Sequence, residues 1–385
     1  MKPDYQIKPD EGIYIHIPFC NSKCGYCAFC SFPAEKAVKE EYITRLAAEI
    51  RAGRGNQAEN KRFKSLYIGG GTPSELTVDQ TARIVQETEK HYRFTPDAER
   101  TIEVNPFSGS FGKLEAYRQM GFNRLSIGIQ SLSDPLLRLI GRPHTADQAL
   151  ETVQAAAKAG FSNISVDLIF GLPGQTLDDL TESVRTLTAV PEITHLSAYS
   201  LSIEPGTRFD RLVQSGELTL PDEVSEREMQ YCLNSLLDQA GFEQYEISNY
   251  ARPGFQAVHN SSYWDLTGYL GFGLSASGYT NGVRYTNTAD MHQYLSTPEE
   301  CSIPAESHCC DKEEAMGDFM FLGLRRNKGV TDSDFRMMFG TSFFEHWPGQ
   351  IRQLRDRGLL IQENDNLRLT ASGRDLANQV FVEFV

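Results

Sequence analysis

The sequence has no apolar run long enough to cross a bilayer, and its opening stretch, MKPDYQIKPDEG, is polar, without the apolar core that directs secretion. A cytoplasmic protein with no membrane span is the expectation. A disulfide framework is missing too: of the 8 cysteines, Cys20, Cys24, Cys27 and Cys30 crowd together, while Cys232, Cys301, Cys309 and Cys310 are scattered. The scattered four read as reduced structural thiols, and the adjacent pair at 309 and 310 is only weak evidence for a metal. Basic stripes are absent as well. The net charge of -14 is spread along the chain and clusters such as RRNK at 325–328 are short, which argues against DNA or RNA as a main partner. What remains is 385 residues with 23% charged and 40% hydrophobic side chains, enough for one large enzyme-like domain plus an appendage.

The chemistry begins at CNSKCGYCAFC, residues 20–30. Cys20, Cys24 and Cys27 have the spacing C-x3-C-x2-C and follow GIYIHIPF, whose alternation and β-branching read as a strand. Thiolates select zinc, copper(I) or iron–sulfur clusters. Three thiolates on a cubane leave one iron open to a substrate or cofactor. The competing reading is zinc with Cys30 as fourth ligand, although four thiols on one short loop close poorly around a tetrahedral ion.

Strand-like and helix-like segments then alternate. KSLYI, TIEVNP, NRLSIGIQS, NISVDLIFGLPG and THLSAYSLSI read as strands, separated by segments of helical periodicity from Ala37–Gly53 to TLDDLTESVRTLTAV. Six β/α units in a row predict an α/β fold with a parallel sheet and right-handed connections, a partial (β/α)6 barrel, with a doubly wound sheet as the alternative. The chemistry-bearing residues fall just after strands, where β/α barrels build active sites: the cysteines, Gly69 to Gly71, Glu103, Asn105, Gln130, Asp167 and Tyr199. The glycines allow close approach of a ligand to backbone, and no Lys-Ser/Thr follows them to make a P-loop. Glu103 and Asp167 suit ribose hydroxyls or an ammonium, Gln130 donates and accepts, and Arg142 suits a carboxylate; helix capping is the plainer role for the two acids. His16 and His144 read as locally satisfied hydrogen-bond partners.

Residues 285–312 lose periodicity and read as a linker, after which three helical segments and a hairpin turning at Asn364–Asn366 predict a winged-helix-like module. The expected domains are 1–250, 251–310 and 311–385. A packing or lid role fits the module better than DNA binding, because acidic residues dilute the arginines of its third helix.

YIHIPFCNSKCGYCAF, GGGTP, EVNP, NRLSIGIQS, GRPH, VDLIFGLPGQT, YEISNYA and HNSSYW together resemble the radical S-adenosylmethionine (SAM) superfamily. Within it they resemble the group of oxygen-independent coproporphyrinogen III dehydrogenases and HemW-type heme chaperones, from Tyr14 into the C-terminal module. The resemblance implies a 4Fe-4S cluster on Cys20, Cys24 and Cys27 whose open iron chelates the amino and carboxylate groups of SAM. It also implies that Tyr14, Tyr26, Gly70, Gly71, Thr72, Glu103, Gln130, Arg142 and Asp167 line the SAM pocket. HN-x-x-YW, starting at His259, resembles a segment associated with heme in the chaperones, which makes His259 a candidate axial ligand, with a hydrogen-bonded structural histidine as the plainer role. In the dehydrogenases the third cysteine is followed by x-Cys and in the chaperones by x-Phe; this chain has Ala28 and Phe29, with Cys30 as a bystander. The chaperone branch implies a protein that binds heme, delivers it to an acceptor protein, and cleaves SAM at most in side or regulatory turnover; it leaves room for a homodimer. The rival is a SAM-dependent oxidoreductase or transferase of porphyrin metabolism, in which a 5′-deoxyadenosyl radical takes hydrogen from propionate side chains. A winged-helix regulator with an iron–sulfur sensor is a third reading, disfavoured by the acidity.

Overall fold

The computed structural model describes residues 4–53, 61–299, 303 and 305–385. Strands and helices follow one another as the periodicity predicts: β1 (Asp10–Ile17), α1 (Lys36–Ala52), β2 (Arg62–Gly70), α2 (Val78–His91), β3 (Arg93–Val104), α3 (Phe111–Gln119), β4 (Arg124–Gln130), α4 (Asp134–Ile140), α5 (Ala146–Lys158), β5 (Ile164–Phe170), α6 (Leu177–Thr188) and β6 (Ile193–Ser200). Thr77, Thr145 and Thr176 each start a helix with a capping box, which fixes where the chain turns back after its strand. All six strands pair in parallel and in chain order. Each is two-faced. Ile13, Ile15 and Ile17, Leu66 and Ile68, and Leu125, Ile127 and Ile129 bury against the helices, whereas the alternate positions on these strands and their neighbours carry polar chemistry: Tyr14, Tyr67, Glu103, Arg124, Ser126, Asp167 and Ser197.

Among the described residues the sheet stays open. After α7 (Arg208–Gln214) and α8 (Glu223–Gln239), β7 (Glu243–Glu246) and β8 (Asn249–Ala251) extend it antiparallel beyond β6. The chain then crosses back through α9 (Val258–Trp264) to β9 (Gly268–Phe272), which runs parallel to β1 and continues as the meander β10 (Ser277–Thr280), β11 (Val283–Asn287) and β12 (Ala305–Cys309). Residues 285–312, expected as a linker, therefore build sheet and a short helix, Met291–Ser296. Their pattern misleads because β12 is an edge strand exposed along its length. Cys301 and Pro304 lie outside the described residues. Glu49 on α1 ties this extension to the barrel, accepting from the Gly273 amide at 2.9 Å, Asn287 Nδ2 at 2.9 Å and the Tyr294 hydroxyl at 2.7 Å.

The C-terminal module has the expected shape and an apolar core of its own. Helices Lys312–Gly323, Asp332–Phe339 and Pro348–Asp356 carry a hairpin, Leu360–Glu363 with Asn366–Leu369, and Thr331 caps the second helix. The RRNK cluster faces the barrel side. Arg325 lies 4.5 Å from the centre of the Trp264 ring and 3.9 Å from Glu246, Arg326 pairs with Asp265, and the Asn327 amide donates to the Tyr245 carbonyl at 3.0 Å. These cations are used for docking the module. Trp264→Ala is expected to weaken that seat by about 1–2 kcal/mol, seen as faster amide exchange across Lys312–Gly323 with β1–β6 unchanged. Equal exchange in parent and variant would show that this contact does not hold the module.

Candidate functional site

The loop after β1 is pinned at its neck. Phe19 and Phe32 bridge, the Cys20 amide donates to the Phe32 carbonyl at 3.2 Å, and the Phe32 amide donates to the Pro18 carbonyl at 3.0 Å. Residues 20–31 thus form a closed excursion over the strand ends. At the far side, Gly25 donates to the Ile140 carbonyl at 3.0 Å and accepts from the Phe209 amide at 2.9 Å. A Cβ there would lie 2.5 Å from the Phe209 ring, so close approach requires glycine. Cys20, Cys24 and Cys27 line one cavity, and Cys20 Sγ sits 3.4 Å from Thr72 Oγ1. Cys30 turns away. It is half-buried against the main core beside Ser275, outside the cavity, so the zinc arrangement with Cys30 as fourth ligand is not the one formed.

The cavity has a volume of about 540 Å³. Tyr26, Gly70, Gly71, Thr72, Glu103, Gln130, Arg142 and Asp167 line it, as expected; Tyr14 and His259 do not. Tyr14 instead shares a 2.9 Å hydrogen bond with His16 Nδ1, and His16 Nε2 meets the Cys30 carbonyl at 3.0 Å, which satisfies that histidine locally. His144 is only half satisfied: Nε2 meets the Ile129 carbonyl at 3.2 Å, while its buried Nδ1 has no partner among the described residues. The glycine turn has no amide to spare at 70 or 71: Gly70 donates to Glu103 at 3.0 Å and Gly71 to the Ile17 carbonyl at 2.8 Å. Gln130 has φ 69°, a left-handed conformation uncommon for a side chain of its kind, at the bulge where β4 meets β5.

Burial sets the charges. Glu103 is pushed up to about 7 by desolvation, although the Tyr67 hydroxyl at 2.7 Å and the Gly70 amide both donate to it. Burial also raises Asp167, against the opposing pull of Ser197, Arg124, Arg142 and Ser126. Arg142 faces Tyr26, Cys24, Asp167 and Cys27, and its buried Nε lacks a partner among the described residues. Three thiols, an unpaired guanidinium nitrogen and two carboxylates on one cavity fit a 4Fe-4S cluster with an amino-acid chelate beside it. Tyr67, Arg124, Ser126 and Ser197 also line the cavity and were not expected as site residues. The signal was present: Tyr67, Ser126 and Ser197 share the alternating inward face with the anticipated acids on this sheet.

The comparisons with known proteins agree with this geometry. Residues 14–187 match the Radical SAM superfamily and residues 310–376 the HemN C-terminal domain. The chain is 36% identical over 379 residues to "Heme chaperone HemW" of Bacillus subtilis, covering 97% of this chain and 99% of that protein. The chain belongs to the HemW family of radical SAM proteins. A second relative of the same name, from Lactococcus lactis, is 35% identical and covers 98% of both chains. The solved Escherichia coli coproporphyrinogen III oxidase (HemN), described as a radical SAM enzyme, shares the fold: TM-score 0.83 at 23% identity, over 98% of this chain and 90% of that one.

The HN-x-x-YW segment of this HemW-family chain is α9, and its histidine is engaged on both sides. His259 Nδ1 shares a 2.8 Å hydrogen bond with Ser65 Oγ and Nε2 a 2.8 Å bond with the Tyr263 hydroxyl, while the ring stacks on Tyr67 with centroids 5.1 Å apart. It is 1% exposed, and burial pulls its pKa down to about 3. Both nitrogens are hydrogen-bonded in this arrangement, the structural role expected as the plainer alternative to axial ligation, and binding iron requires one of these bonds to open. His259→Ala leaves two hydroxyls without their partner, at a cost of about 1–3 kcal/mol. A lower melting temperature with an unchanged Soret band on heme titration is the expected result, whereas a shifted Soret band would show that α9 releases the ring to iron.

Proposed function

We propose that the chain is a heme chaperone. It holds a 4Fe-4S cluster on Cys20, Cys24 and Cys27, SAM in the adjoining cavity, and heme, which it passes to an acceptor protein in the cytoplasm. Among the described residues no helix is long and apolar enough to cross a membrane. The observation that carries the reading is Phe29, 68% exposed at the cavity rim at the position where the dehydrogenases carry cysteine. Phe107 and Tyr199, 54% and 43% exposed, line the same mouth and add to an aromatic surface suited to a flat macrocycle. Likeness over nearly the full length to proteins named heme chaperones supports it.

When bound, the cluster supplies an iron with a coordination position open to an amino-acid chelate. The chain's own residues do the rest. Arg142 offers its unpaired nitrogen to a carboxylate, Glu103 and Asp167 take an ammonium or ribose hydroxyls, and Thr72 and Gln130 complete the polar wall.

The carboxylate form of Glu103 is the one that accepts from SAM. Because the ligand-free group is held up to about 7, SAM affinity is expected to rise between about pH 6 and about pH 8, with proton release on binding. Glu103→Gln should flatten that slope in calorimetric titrations at the two pH values; an unaltered slope would remove Glu103 from the SAM site.

The function itself is tested with anaerobically reconstituted protein. Transfer of bound heme to apomyoglobin, used as a generic acceptor, is expected in the parent and weakened in Phe29→Ser. The fold shared with HemN keeps a dehydrogenase as second reading. Formation of protoporphyrinogen IX from coproporphyrinogen III with SAM and reductant would replace the chaperone reading with that one.

A further inference from the structure

Three side chains able to ligate a metal converge where the barrel sheet hands over to the C-terminal module. His308 and Cys310 stand two residues apart at the end of β12, so strand alternation points both to one side and sends Cys309 to the other. Cys310 lies just past the strand, but its amide still donates to the Gly282 carbonyl at 2.9 Å; it is 2% exposed, whereas Cys309 is open to solvent. Glu314 reaches the same point from the first turn of helix Lys312–Gly323, where its amide donates to the capping Asp311 side chain at 2.9 Å. The imidazole, thiol and carboxylate ligand atoms all lie within 4.8 Å of one another. His308 Nε2 meets Glu314 Oε2 at 2.6 Å, and the Cys310 thiol bonds to the same carboxylate. A plain ion pair accounts for the histidine and the acid, but not for a buried thiol beside them. The surroundings fit as well. Arg284 pairs in register with His308, bonds Glu314 Oε1 at 3.1 Å and pairs with Asp318 one helical turn further on. Arg284 and Asp318 balance each other, so a Cys310 thiolate and the Glu314 carboxylate supply the two negative charges that a divalent cation needs, with the acid held in place from behind.

We propose that His308, Cys310 and Glu314 bind a zinc ion that clips the last strand of the barrel sheet to the first helix of the C-terminal module. One nitrogen, one sulfur and one oxygen donor suit zinc, whereas magnesium and calcium take oxygen ligands. Zinc bonds of about 2.0–2.3 Å put ligand atoms about 3.5 Å apart, so small side-chain rotations complete three corners of a tetrahedron and leave the fourth to water. Binding displaces the Cys310 thiol proton to solvent. None of the three residues lines the cavity, and none belongs to the cysteine loop, so this site is separate from the cluster.

The test uses the full chain, anaerobically reconstituted so that iron occupies Cys20, Cys24 and Cys27, titrated with zinc against a colorimetric chelator and followed by zinc K-edge absorption. The parent is expected to bind about one zinc per chain, with one sulfur at about 2.3 Å and nitrogen and oxygen in the rest of the shell. Cys310→Ser and His308→Ala should each weaken zinc about 100-fold, the first also removing the sulfur, while Cys309→Ser should stay within about twofold of the parent. Zinc should slow amide exchange across Lys312–Gly323 in the parent and not in His308→Ala. A parent that takes up zinc only at millimolar concentration overturns the site, and so does a sulfur that survives in Cys310→Ser or is lost in Cys309→Ser. Zinc carrying several sulfurs with loss of iron places the metal on the cluster loop and overturns it too. Unchanged exchange with zinc bound overturns the clip. Should the buried Cys310→Ser not fold, His308→Ala, altered at a side chain 64% exposed, decides: parental zinc affinity in that variant rules the site out.

Discussion

Two backbone amides bonded to one carboxylate close the open barrel. A parallel sheet with a polar inner face must keep that face satisfied, and six strands that do not meet leave it exposed to whatever covers the seam. Glu99 accepts the amides of Val258 and His259 at 2.8 and 3.1 Å, and so fixes the start of α9 against the level where Gly12, Ser65 and Glu99 lie in register. From there two relays fill the interior. One runs Ser65–His259–Tyr263; the other runs Ser165–His195–Tyr245 and ends on the Ala257 amide, just ahead of α9. Burial pulls both imidazoles well below the ordinary histidine range, with Arg124 adding to the effect, so both stay neutral. Beyond the Glu99 carboxylate the two relays add no charge, and Arg124 acts on both imidazoles and on the Asp167 and Glu103 carboxyls.

The same short helix connects three parts of the molecule. Its His259 and Tyr263 belong to the barrel interior, Asn260 lines the cavity, and Trp264 carries Arg325 of the C-terminal module. The segment that reads in sequence as a heme ligand is therefore a junction, and its aromatic and histidine content follows from packing between sheets as much as from chemistry. The cysteine loop, by contrast, depends on its own neck at Phe19 and Phe32 and on Gly25 wedged between Ile140 and Phe209. The cysteine loop and the barrel closure are thus held by different contacts.

The strand-and-helix alternation and the grouping of Cys20, Cys24 and Cys27 were legible because local spacing encodes them: period two for strands, a threonine cap before a helix, three thiols on one turn. The expectation of a pocket around the ten other residues came from the family resemblance, and eight of those ten line one cavity. Residues 285–312 were not, because an exposed edge strand has no buried face to imprint on its sequence. Tyr14 was misplaced for a related reason: its position on the inner face is visible, but whether it reaches the cavity depends on His16, which takes its hydroxyl.

Sequence by itself determined the order of elements, the two-faced strands and the C-x3-C-x2-C loop, since each is a property of neighbouring residues. Tertiary structure alone decided that Cys30 turns away, that His259 is saturated by Ser65 and Tyr263, and that Arg124 Nε is buried without an acceptor among the described residues. Those outcomes depend on partners far away in the chain, or on their absence, and no local pattern records which distant donor meets which acceptor.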